Sequence, residues 1–123
     1  MKNILILEDE EVIGKIYEKA LLKLGYNAKW YKTTADAEKA ANKDKYDLFI
    51  LDHGLVNDDR SGVELIPVLQ KTNPKAKVLM LTNYSDFQVE KKARAAGAHD
   101  YLLKIDTTPN VLAEYVKKLF RKS

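Results

Sequence analysis

Four short, unbroken apolar runs constrain this chain more than any other feature: Ile4-Leu5-Ile6-Leu7, Leu48-Phe49-Ile50-Leu51, Val78-Leu79-Met80-Leu81 and Tyr101-Leu102-Leu103. Runs of this length without polar alternation suit strands covered on both faces. A fifth segment, Asn27 to Tyr31, alternates and suits an edge strand. Helical patterns fill the gaps. Val12, Ile16, Ala20 and Leu24 recur every four residues beside Ile13, Tyr17 and Leu21, and Gly25 follows as a stop. A second helix is expected from about Thr34 to Asn42, capped by Thr33 or Thr34. Val63, Leu65, Ile66 and Leu69 mark a third that ends near Asn73-Pro74, with Pro67 inside the pattern. Phe87 to Ala96 forms a fourth, stopped by Gly97. Thr108 and Pro109 open a fifth that runs to about Arg121.

Strand followed by helix, five times over, predicts an α/β fold with a parallel sheet and helices on both faces. With 123 residues and no linker, a single domain over 1–123 is expected. An apolar share of 46% beside 32% charged residues reads as a soluble globular chain. There is no cysteine, which removes thiolate metal sites and disulfides. No secretory or membrane-spanning apolar stretch is present, so a cytoplasmic protein without a membrane partner is the simplest expectation. The net charge of +3 comes from scattered lysines, so no direct nucleic-acid partner is expected.

In an open parallel sheet, ligands bind beyond the carboxyl ends of the strands. Those ends are polar here: Glu8 and Asp9 after the first strand, Asp52 after the third, Thr82 at the fourth and Lys104 after the fifth. If strands one and three are neighbours, three carboxylates converge. At about 4 Å each pair costs on the order of 4 kcal/mol unless a cation neutralises it. The donors are all oxygen, which suits Mg²⁺ (or Mn²⁺ as a substitute) better than zinc. Asp52 can then serve as carboxylate nucleophile, with Glu8, Asp9 and the Gly54 carbonyl as metal ligands. Lys104 supplies a fixed positive charge and Thr82 a hydroxyl to a phosphoryl group.

These residues, in Ile-Leu-Glu8-Asp9, Leu-Phe-Ile-Leu-Asp52, Leu-Met-Leu-Thr82 and Gly97-Ala-His-Asp-Tyr101-Leu-Leu-Lys104, make the chain resemble the receiver domains of two-component response regulators over essentially its whole length. The resemblance implies a flavodoxin-like (βα)5 sandwich with strand order 2-1-3-4-5. It implies a phosphorylation-dependent signalling switch in which Asp52 takes a phosphoryl group from a phosphohistidine on a sensor histidine kinase or phosphotransfer protein. Thr82 then moves inward, Tyr101 follows, and the face of helix 4, strand 5 and helix 5 changes its affinity for a downstream protein target. Homodimerisation is left open. Such a chain is no enzyme towards other substrates; it catalyses only its own phosphorylation and dephosphorylation. The complete pattern, initiating Met and basic tail point to a stand-alone member.

The chain also departs from the family. Val56 stands where proline is usual, four residues after Asp52, and the loop Asn57 to Ser61 is about two residues longer than common. Asn83 replaces a very small residue after Thr82. Ile105 replaces a proline after Lys104, so a trans bond is expected there. His53, Asp58 and Asp59 are expected as ordinary loop residues, and Trp30 and Tyr31 as core and rim packing. Exposed Gln88, Lys91, Lys92, Lys117 and Lys118 suggest a basic output surface. Two rival classes remain. An aspartate-nucleophile phosphohydrolase would carry a second Asp where this chain has Gly54, and a phosphorylation-independent pseudo-receiver would lose residues kept here.

Overall fold

Successive residues of a strand point to opposite faces, and in the central strands of this protein both sets are apolar. The computed structural model describes residues 1–121; Lys122 and Ser123, which end the basic tail, lie outside the described residues. Five parallel strands, β1 (Asn3–Leu7), β2 (Asn27–Tyr31), β3 (Leu48–Leu51), β4 (Lys77–Thr82) and β5 (Asp100–Leu103), lie in the order β2-β1-β3-β4-β5. The connecting helices are α1 (Glu11–Lys23), α2 (Thr34–Lys43), α3 (Gly62–Thr72), α4 (Phe87–Ala96) and α5 (Pro109–Arg121). This is the flavodoxin-like arrangement that the alternation and the resemblance predict.

The apolar runs divide between two cores. Ile4, Ile6, Ile50 and Leu79 pack with Tyr17 and Leu21 of α1 and with Leu112 and Val116 of α5. Leu5, Leu7, Phe49 and Met80 face the other side, against Ala37 of α2, Leu65 and Leu69 of α3 and Ala93 of α4. Each such buried Leu or Ile contributes about 1.5–3 kcal/mol, so both faces of the central strands belong to the core.

Local chemistry sets the helix starts. Thr33 Oγ1 accepts from the Asp36 N–H at 3.1 Å and caps α2. Ser61 and Glu64 form a reciprocal capping box that begins α3 upstream of Pro67. Thr108 Oγ1 accepts from the Val111 N–H at 3.2 Å at the start of α5.

Two expectations need correction and a third is refined. Helix α1 forms where its apolar pattern predicts, and of that pattern Tyr17 and Leu21 are buried, with Gly14, while Val12, Ile16 and Leu24 are exposed. The apolar arc of α1 is too broad for its periodicity alone to choose the inward edge. The Tyr101-Leu102-Leu103 run is only half-buried, because β5 is an edge strand. Asp58 is no freely solvated loop carboxylate. It accepts from the Thr34 N–H at 2.8 Å and the Thr34 hydroxyl at 2.7 Å, and so ties the loop after β3 to the start of α2. Arg60 strengthens the tie through Glu38 at 2.7 Å. The bend in this loop places Asn57 at φ 59°, in the left-handed region.

Asp58→Ala removes both acceptors from Thr34 and is expected to lower stability by about 1–2 kcal/mol. Urea denaturation measures it; a variant as stable as the parent would show that the tie contributes nothing.

Candidate functional site

β1 and β3 are hydrogen-bonded neighbours with Leu7 opposite Leu51, so the residues just past their ends meet. Glu8 is 2% exposed and Asp52 5% exposed. One carboxylate oxygen each from Glu8, Asp9 and Asp52 lies within 4.8 Å of the others. The main chain fixes the two buried ones: the Asp52 N–H donates to the Leu7 carbonyl at 3.1 Å, and the Glu8 N–H to the Tyr31 carbonyl at 3.1 Å.

Lys104 opens a single 3-10 turn, Lys104–Asp106, directly after β5. Its Nζ donates to Asp52 Oδ2 at 2.7 Å and also pairs with Glu8 Oε1. With all three carboxylates ionised, a single ammonium leaves two negative charges uncompensated. Burial pushes the Glu8 carboxyl up to about 7, opposed by the Lys104 ammonium and by a hydrogen bond from the Glu10 N–H at 3.0 Å. Burial pulls the Lys104 ammonium down, but its hydrogen bonds to Asp52 and Glu8 outweigh that and hold it above the ordinary lysine value. Asp9 is more open, and its Oδ2 accepts from the Val56 N–H at 2.8 Å. The donor set is hard oxygen with excess negative charge, which fits a small divalent cation.

Thr82 ends β4 fully buried, and its Oγ1 accepts from the Tyr84 N–H at 3.3 Å. Tyr101 lies on the other side of the same residue, donating its hydroxyl to the Tyr84 carbonyl at 2.6 Å. Burial, with Glu90 and Asp86 nearby, raises the Tyr101 hydroxyl and keeps it a donor. Tyr84 was not among the residues singled out from sequence. Its ring rests on Gly54, where a Cβ would overlap it, and meets His53 edge-on at 5.4 Å. The one signal for it was position: two residues past a site-lining threonine.

The departures resolve locally. His53 is half-buried, and among the described residues its Nδ1 has no partner. Asn83 is exposed at the edge of a hollow of about 320 Å³, with Ile13, Ile16, Tyr17, Lys104 and Ile105. No described peptide bond is cis, the one before Ile105 included. Lys91, Lys92 and Lys118 are exposed as expected, whereas Lys117 is half-buried, 3.8 Å from Glu114. The groove of about 570 Å³ between α4, β5 and α5 is rimmed by Asp86, Glu90 and Asp106 and, among the described residues, lined by no lysine or arginine. The basic patch therefore flanks that groove without forming it.

Comparison with known proteins agrees with this geometry. The family model described as the response regulator receiver domain matches residues 4–117. The transcriptional regulatory protein PcoR of Escherichia coli is 34% identical over 123 residues, all of this chain and 53% of that protein. QseB of Haemophilus influenzae is 31% identical over 117 residues, 95% of this chain and 50% of that protein. The chain thus spans about half the length of the curated relatives it matches. A CheY-like receiver domain protein from Methanospirillum hungatei superposes with a TM-score of 0.91 at 26% identity, covering 99% of this chain and 95% of that one. A response regulator from Burkholderia pseudomallei, solved with a phosphorylated aspartic acid and a calcium ion, gives 0.83 at 30% identity, covering 96% and 72%. Among the described residues no helix is long and apolar enough to cross a membrane.

The raised Glu8 carboxyl predicts a pH dependence in the metal-free protein. Between its ordinary value of 4.5 and about 7, the folded state holds more of this proton than the unfolded one. Stability therefore falls as pH rises through that window and levels off above it. Urea denaturation at several pH values should show a shallower fall in Glu8→Gln than in the parent. Equal slopes would remove Glu8 as the cause.

Proposed function

The chain belongs to the response regulator receiver domain family, and from that premise we propose that residues 1–123 act as one phosphorylation switch with Asp52 as the phosphoacceptor. The observation that carries this reading is the Lys104 ammonium held against the Asp52 carboxylate at the tip of a buried strand. A nucleophilic carboxylate, a fixed cation and a hard-ligand cluster then share one crevice. An Asp52 oxygen attacks the phosphorus of a phosphohistidine, forming an acyl phosphate P–O bond as the P–N bond breaks and the imidazole leaves. Glu8, Asp9 and Asp52, with the Gly54 carbonyl, are the residues proposed to hold Mg²⁺ or Mn²⁺. A divalent ion there would neutralise the excess carboxylate charge and draw electron density from the phosphoryl oxygens.

Lys104 keeps its charge throughout and can pass from the Asp52 oxygen to a phosphoryl oxygen. The Thr82 hydroxyl, now accepting from Tyr84, gains a stronger acceptor once a phosphoryl group is present. Turning towards it gives up the Tyr84 N–H, and the Tyr84 carbonyl holds Tyr101. The proposed output therefore runs Thr82, Tyr84, Tyr101 and then the α4–β5–α5 face, where a downstream protein or a second copy would dock. A sensor histidine kinase or phosphotransfer protein in the cytoplasm is the proposed donor. The protein would catalyse only its own phosphoryl gain and loss, because Gly54 offers no acid–base group for turnover on other substrates.

Incubation with a small phosphodonor and Mg²⁺ is expected to add one phosphate by intact mass. The adduct should be absent in Asp52→Asn and strongly reduced by chelation. A persistent adduct in Asp52→Asn would end this assignment.

A further inference from the structure

We propose that Trp30 is a positioning residue for the acidic turn: its indole N–H holds the Glu8 carbonyl and so sets how Glu8 and Asp9 present their carboxylates. The inference rests on the metal-binding role proposed above for that pair. Trp30 is the only tryptophan in the chain and lies in the edge strand β2. Its Nε1–H donates to the Glu8 carbonyl at 2.6 Å.

Glu8 lies just past the end of β1. The Tyr31 carbonyl takes its main-chain N–H at 3.1 Å, and the Trp30 indole holds its main-chain oxygen. Neighbouring residues of β2 therefore hold both main-chain polar groups of Glu8. A peptide unit is planar, so fixing the Glu8 oxygen also fixes the Asp9 nitrogen and the direction of the Asp9 Cα. One side chain on a neighbouring strand thereby orients a carboxylate that it does not touch.

The indole is itself confined. The Trp30 main-chain N–H donates to Glu18 Oε2 of α1 at 2.7 Å. α1 passes so close that a Cβ on Gly14 would overlap the Nε1 edge of the ring, and Gly14 is buried there. α1 also follows the acidic turn directly, so the clamp engages the turn from β2 and from the helix it leads into. Apolar packing alone would be served by a phenyl ring. The N–H aimed at Glu8 is what phenylalanine lacks.

Isothermal calorimetry of Mg²⁺ binding to the parent, Trp30→Phe and Gly14→Ala tests this. Trp30→Phe keeps a ring and loses the donor; Gly14→Ala drives a methyl into the indole and leaves every carboxylate in place. Both should weaken Mg²⁺ binding by about three- to tenfold, the scale of one net hydrogen bond. A Trp30→Phe protein that melts lower yet binds Mg²⁺ like the parent would reduce Trp30 to packing and overturn the proposal. In the parent, Trp30 emission should shift on Mg²⁺ addition with the calorimetric midpoint, and emission that stays silent while Mg²⁺ binds would count equally against it. That measurement and Gly14→Ala still decide if Trp30→Phe fails to fold. A parent that takes up no Mg²⁺ at millimolar concentration would instead remove the metal reading on which the inference stands.

Discussion

One buried ammonium shared by two buried carboxylates organises the functional end of this molecule. Lys104 reaches Glu8 and Asp52 from the far edge of the sheet. β5 stands two strand spacings, about 10 Å, from β3, so only a long side chain can cross. The strand order makes the pairing possible. It sets β1 beside β3, so Glu8 and Asp52 emerge together, and puts β4 between Asp52 and the origin of the lysine. Removing the lysine would leave two buried carboxylates facing each other without a cation, which costs about 3–5 kcal/mol in comparable sites. The charge balance therefore depends on the sheet topology.

The strands were legible because the apolar runs are short and unbroken. Leu48 to Leu51 coincides with β3, and Asn27 to Tyr31 with β2. The helices were legible as elements but not always as faces. In α1 both candidate stripes are apolar, and the choice fell to Gly14 and Tyr17, whose burial depends on Trp30 and on the Thr107 carbonyl to which the Tyr17 hydroxyl donates at 3.2 Å. Those partners lie 16 and 90 residues away in the chain, and no local periodicity reports on them.

The candidate site divides in the same way. Residues that end strands, Glu8, Asp9, Asp52, Thr82 and Lys104, could be found because the strand pattern gives their position. Residues that link those ends could not, because their roles depend on main-chain atoms or on where a loop bends. Tyr84 matters through its N–H and carbonyl, which Thr82 and Tyr101 hold from either side. Asp58 matters because a loop bend brings it to Thr34. Neither role follows from residue type alone.

Val56 shows how a departure from a family pattern can carry physical content. A proline there has no N–H; valine has one, and it donates to Asp9 Oδ2 at 2.8 Å. A carboxylate offers about four lone-pair positions over two oxygens, so this bond leaves Asp9 able to accept a further hard partner. The loop bearing Val56 also bears Asp58 and Arg60, which are tied to α2. The Asp9 carboxylate and the start of α2 are therefore joined to the same short, hydrogen-bonded loop. A proline in place of Val56 would remove the first of these bonds and leave that Asp9 oxygen to find another donor.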